Sequence, residues 1–278
     1  MNLKFAVNEY ILIWYLLFQQ SVSKKMNDYK QKLWKNFKKE YALLEKEKKI
    51  ILEDPKNYIP DNDIIYELVK NFDEYEELLK QTENYKVDVL KIWDKYKNKV
   101  NKEIFNILRL EIKNCHMLLV NPKINIIDLS SKNDNKINTI VYGKTLSDRD
   151  IQDLLEMIYI ILKKEFKEFN SDNKEIVDAV LELAILNELG TRLTGKSCYL
   201  VGRSDLGLLK RQIYPYFLMY LGIDRDDLTA YMRRDGIIFD TKNYTNEIQL
   251  RKINLKEFIN FCINNQRIIL KLDKVGVK

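Results

Sequence analysis

The chain has 278 residues, 46% hydrophobic and 32% charged, which is enough to bury a sizeable core and too apolar for a disordered polyelectrolyte. Only 8 glycines and 4 prolines exclude long flexible linkers and a turn-dense all-β design, while abundant Leu, Lys, Glu and Ile favour helices. The net charge of +6 is a small excess of 47 basic over 41 acidic residues that are mixed along most of the chain, so composition alone gives little support to a polyanionic partner.

The first 20 residues carry an uninterrupted apolar run from Tyr10 to Phe18, with Glu9 just ahead of it and no small-residue cleavage site behind it. Such a run is too short to span a bilayer, and a buried first helix is expected in place of a membrane anchor. Residues 24 to 50 place Tyr29, Leu33, Trp34, Phe37, Tyr41 and Leu44 three and four apart, which predicts one helix with that face in the core and lysines on the other. Basic side chains interleaved with aromatics also suit single-stranded nucleic acid, but a stripe at helical spacing reads first as core. After a loop over residues 54 to 63, helices are expected at about Ile64 to Gln81 and Tyr85 to Leu110. The second of these sets Val89, Ile92, Trp93, Tyr96, Val100, Ile104, Ile107 and Leu108 on one side.

Short apolar runs then appear at Met117 to Val120, Ile124 to Ile127 and Ile137 to Tyr142, predicting a small sheet. Helices follow from about Ser147 to Phe169 and Glu175 to Leu193. Beyond Gly207 the pattern gives a helix bent or interrupted by Pro215, a short helix from Asp224 to Gly236, a helix around Leu255 to Asn265 and a closing strand Arg267 to Leu272. The fold class is therefore α+β and mainly helical, divided as a helical part over residues 1–112 and an α+β part over 113–278 that together make one compact unit. Cys115, Cys198 and Cys262 are too few and too scattered for a disulfide framework or a metal knuckle, and suit a reducing, cytoplasmic setting.

Two stretches have the letters of a catalytic or ligand site. The helix LLEMIYIIL has Glu156 flanked by Leu155 and Tyr159, and the next helix carries Asn187-Glu188. This order of strand, helix and helix resembles the glutamate-zincin metallopeptidases over about residues 113–193. In that family H-E-x-x-H on one helix and a glutamate on the next hold zinc. The resemblance puts Leu155 and Tyr159 at the histidine positions, Glu156 at the general base and Glu188 at the third ligand. Leucine donates nothing to zinc, and the single histidine, His116, lies on a predicted strand, so no metal site and no zinc peptidase activity are expected.

The second stretch, GTRLTGKS, matches the phosphate-loop pattern at Gly190, Gly195, Lys196 and Ser197. A true phosphate loop joins a buried strand to a helix N-terminus, whereas the residues before Gly190 read as helix. The same letters fit a packing glycine followed by a C-cap glycine. Further along, Lys210, Arg211, Tyr214, Arg233 and Arg234 combine cations with aromatics and are the candidate partner-binding residues. The function expected is that of a non-catalytic binding or regulatory protein on a degenerate metallopeptidase-like scaffold. It would need no cofactor and hold a macromolecular partner, foremost a protein, outside any membrane. The alternatives are a nucleotide-binding enzyme acting through Gly190 to Ser197, a metal-free enzyme around Glu156, and a nucleic-acid-binding module.

Overall fold

The computed structural model describes residues 1–19, 22–112, 114–129, 138–147, 150–169, 173–199, 201–223 and 250–270. The chain is α+β and predominantly helical, with one small mixed sheet. It divides into two compact units, residues Met1–Lys95 with Lys113–Asp150, and residues Tyr96–Ile112 with Ile151–Lys278. The sheet-forming segment, residues 113–150, therefore clusters with the N-terminal helices in the first unit. The physical cause is a strand that local pattern does not reveal: β1 (Leu3–Val7) pairs in parallel with β2 (Cys115–Leu119).

In the first unit, β2 also pairs in parallel with β4 (Asn138–Gly143), and β3 (Ile126–Asp128) closes the edge antiparallel to β4, giving the order β1-β2-β4-β3. Helix α1 (Glu9–Phe18) starts where the Asn8 side chain accepts the Ile11 amide, and every residue from Ile11 to Leu17 is buried. A helix apolar on all sides is stable in water only inside a core. Here it is surrounded by α2 (Lys24–Asn36), α3 (Lys38–Glu53) and α4 (Ile64–Lys70), and by Leu118, Val120 and Val141 of the sheet region. Each such aliphatic side chain contributes roughly 1.5–3 kcal/mol by leaving water. The expected single helix over residues 24–50 is broken at Phe37, whose φ and ψ of −130° and 46° lie outside the helical range.

Helix α5 (Tyr75–Leu108) is continuous through Gln81 to Tyr85, where a break was expected. No glycine or proline interrupts it, and buried Thr82 turns its hydroxyl onto the Leu78 carbonyl of its own helix. The second unit contains the last turns of α5 and helix α6 (Asp150–Glu165), followed by α7 (Lys174–Glu182), a π-helical stretch Leu183–Leu189 and α8 (Gly190–Thr194) in one unbroken rod. Helix α9 (Gly207–Leu221) continues through Pro215, which is buried in it, so the proline does not interrupt the helix. Helix α10 (Leu255–Asn264) opens with a capping box between Asn254 and Glu257. Of the expected closing strand Arg267 to Leu272, Arg267 to Ile269 belong instead to α11 (Gln266–Ile269) with Leu270 as its C-cap, and residues 271 and 272 lie outside the described residues. The helix expected from Asp224 to Gly236 lies outside the described residues. No helix among the described residues is long and apolar enough to cross a membrane.

Arg109, just past the end of α5, organises the second unit. Its guanidinium donates to the carbonyls of Arg251 at 2.7 Å, Ile253 at 3.0 Å and Tyr220 at 2.6 Å, and lies 4.6 Å from the Tyr220 ring centroid. One planar fork thus satisfies carbonyls from two segments that have no ladder to join.

Candidate functional site

The sequence candidates on α6 and on the α7–α8 rod all fall in the second unit, where the two elements pack side by side. Leu155 is 1% exposed and sits over Gly190, where an added Cβ would come within 3.1 Å of Leu155 Cδ1. Gly190 is helical, and its lack of a side chain lets Leu155 and the Cys198 side chain pack closely on it. The position that would bear the first histidine of a zinc motif is thus filled with hydrocarbon. Tyr159, one turn along, does not open onto a cleft either. Its hydroxyl is buried, and its pKa is raised above the usual tyrosine range first by burial and then by the charges of Asp178 and Glu182. Glu156 is half-buried on α6.

Glu188 points into an ion pair. Arg192 donates from Nε to Glu188 at 2.7 Å and from Nη1 to Glu103 of α5 at 3.0 Å. Burial lowers the Arg192 pKa, but the bonds to the two carboxylates outweigh this and raise it. The preceding Asn187 uses its amide nitrogen to hold the carbonyls of Cys198 and Val201. Among the described residues no three His, Cys, Asp or Glu side chains come together as metal ligands would. Leucine, a buried tyrosine and an arginine-bound glutamate do not fit the zinc that the metallopeptidase resemblance implies.

GTRLTGKS is the end of a helix. Gly190 to Thr194 form α8, and Gly195 terminates it in the left-handed region at φ 71°, a conformation suited to glycine. Its amides are already used: Gly195 donates to the Thr191 carbonyl, Lys196 to Thr194 Oγ1 and Cys198 to Thr191 Oγ1. A phosphate loop needs those amides turned inward on the ligand. Gly190, Gly195, Lys196 and Ser197 therefore lack the geometry of a nucleotide site.

The partner-binding candidates divide. Lys210 is not at a solvated rim but is 2% exposed, Tyr214 is buried against Tyr199, Arg211 is exposed, and Arg233 and Arg234 lie outside the described residues. Lys210 belongs to a charge cluster that no motif announced. Its ammonium donates to Glu182 at 2.9 Å and to the Val201 carbonyl at 3.0 Å. Glu182 accepts the Arg203 amide at 3.2 Å. Asp178, fully buried one turn earlier on α7, is held by Lys163 at 2.8 Å and by Arg203 at 3.0 Å. Gly202, at φ 122°, is required at the centre, because its Cβ would stand 2.1 Å from Glu182 Oε2. The only advance signal was a pair of acids, four residues apart, inside the otherwise apolar run IVDAVLELAIL. Each buried carboxylate already has cations, which makes the cluster a structural lock and leaves no uncompensated acid or base for catalysis.

No protein-family model, curated protein or solved structure matches this chain.

Proposed function

We propose that the chain is a non-catalytic binding protein on a scaffold akin to the metallopeptidases, with the metal ligands lost and a macromolecular partner in place of a substrate. The observation that carries this reading is Leu155, buried against Gly190 at the position where a zinc ligand would stand. Support comes from Glu188, which is committed to Arg192, and from the buried acids Asp178 and Glu182, which are each neutralised in place. A cytoplasmic setting is part of the proposal, supported by three cysteines that are all free thiols.

The test is zinc analysis of the purified protein together with hydrolysis of a mixed peptide library, with Glu156→Gln as control. The reading expects no stoichiometric zinc and the same negligible hydrolysis for both proteins. Zinc-dependent cleavage that disappears in Glu156→Gln would replace it with an enzyme.

A further inference from the structure

Between Asp28 and Glu40 the chain has Lys30, Lys32, Lys35, Lys38 and Lys39 and no acidic residue, a local charge of +5 in a protein whose total is +6. Because α2 ends at Asn36 and α3 starts at Lys38, these lysines are gathered around one helix junction in the first unit. Lys32, Lys35, Lys38 and Lys39 are exposed, and none of them is in an ion pair among the described residues. Other surface lysines do have local carboxylates, such as Lys70 with Glu67 at 3.2 Å and Lys91 with Asp88 at 3.0 Å. Among the described residues, then, no carboxylate is paired with these four lysines.

The same junction displays an indole. Trp34 is 49% exposed, whereas Trp14 and Trp93 are each 6% exposed. Leu33 takes the core position at 3% exposed, and Trp34, turned about 100° from it on the helix, faces outward. Lys38 Nζ lies 5.2 Å from the Trp34 ring centroid. Trp34, Lys30, Gln31, Lys35 and Tyr41 together line a hollow of about 350 Å³.

We propose that the α2–α3 junction binds single-stranded nucleic acid, with a base stacked on Trp34 and adjacent phosphates neutralised by Lys32, Lys35, Lys38 and Lys39. Open aromatic faces beside a track of cations are how sequence-tolerant single-strand sites work. The observations favour this partner over two others. An interfacial helix needs a continuous apolar face, and here Tyr41, Leu44, Ile51 and Leu52 of α3 go to the core, while its exposed Leu43 and Ile50 are interspersed with exposed Lys39 and Lys46. An acidic peptide would use the lysines and leave the exposed indole without a role. The assignment goes beyond the non-catalytic reading of the second unit, and its evidence lies wholly in the first.

The experiment is titration of a dye-labelled short oligouridylate or oligothymidylate with the full-length protein, followed by fluorescence anisotropy of the oligonucleotide, a readout that survives replacement of Trp34. Trp34→Ala is expected to weaken binding by roughly tenfold or more, and Trp34→Phe to retain most of it. The triple variant Lys32→Gln/Lys35→Gln/Lys39→Gln is expected to flatten the dependence of log affinity on log salt by about 2, at roughly 0.7 per lost phosphate contact. Lys91→Gln, on α5, serves as the control and leaves affinity unchanged. All variants change exposed side chains, and unaltered circular dichroism and melting temperature establish that they fold. Absence of oligonucleotide binding at about 50 mM salt overturns the proposal. So does undiminished affinity in Trp34→Ala, and so does capture by phosphatidylserine vesicles in place of oligonucleotides, which would make the junction a lipid-surface contact. None of these results bears on peptide hydrolysis, so failure here is separable from failure of the non-catalytic reading.

Discussion

Lys210 and Glu182 form a salt bridge 2.9 Å long with the two side chains only 2% and 1% exposed. A buried pair of this kind adds little net stability relative to hydrocarbon, but breaking it strands a charge. Lys210→Met is expected to destabilise the protein by about 3–5 kcal/mol. Lys210→Met combined with Glu182→Leu should recover most of that loss, though not all, because the Arg203 amide then loses its acceptor. Urea unfolding midpoints measure both, and a double variant no better than the single one would show that the ion pair is not the source of the loss.

Gly202→Ala tests the same cluster from the backbone. The left-handed conformation alone costs an alanine about 1–3 kcal/mol, and the new Cβ would also collide with the Glu182 carboxylate. The expected thermal destabilisation should shrink when Glu182 is shortened to Ala, since the collision is then removed and only the backbone strain remains.

Arg109→Lys should destabilise the protein by at least about 1.5–3 kcal/mol, the value of a hydrogen bond to a charged group. An ammonium cannot reproduce a fork that reaches the Tyr220 carbonyl on one nitrogen and those of Arg251 and Ile253 on the other. Chemical denaturation gives the loss, and limited proteolysis should cut most readily near residues 250–253. Wild-type stability in the lysine variant would mean that charge alone suffices there.

At the end of α8, Gly195→Ala is expected to cost about 1–2 kcal/mol because the residue is left-handed, whereas Lys196→Ala, an exposed change, should be neutral. Magnesium-ATP is expected to leave the melting temperature of both variants and of the wild type unchanged. A rise in the wild type that is lost in Lys196→Ala would restore the phosphate-loop reading.

His116 gives a pH dependence with a definite sign. It faces Lys4 across the parallel β1–β2 pair. Burial first, and then the charges of Lys4 and Lys56, lower its pKa from the usual 6.5. The unfolded chain therefore binds a proton more readily than the folded one as pH drops below about 6.5. Stability contributed by neutral His116 is present above that pH and is lost on acidification toward the folded pKa. His116→Gln should flatten this part of the stability curve below about pH 6.5. An identical curve for the variant would exclude the histidine as its source.

Much of the helical architecture was legible because its signal is local. The run Tyr10 to Phe18 is apolar at every position and became a helix buried on all sides. The stripe Val89, Ile92, Trp93, Val100, Ile104, Ile107 and Leu108 became the buried side of α5. Positions of marginal preference were misread. Arg267 to Ile269 have the β-branched, apolar look of a strand but lie in the short helix α11. The stripe through Trp34 assumed one helix register that Phe37 interrupts.

What the sequence by itself determined is the mainly helical α+β class, because helical periodicity is a property of neighbouring residues. Tertiary structure decided the rest. The parallel partner of β1, the pairing of Lys210 with Glu182 and of Asp178 with Lys163, and the exposure of Trp34 among unpaired lysines each depend on residues brought together from distant parts of the chain or on competition for one buried face. Charges far apart in sequence look like solvated surface until folding buries them together. Desolvation makes a lone buried charge so costly that only the complete set is stable.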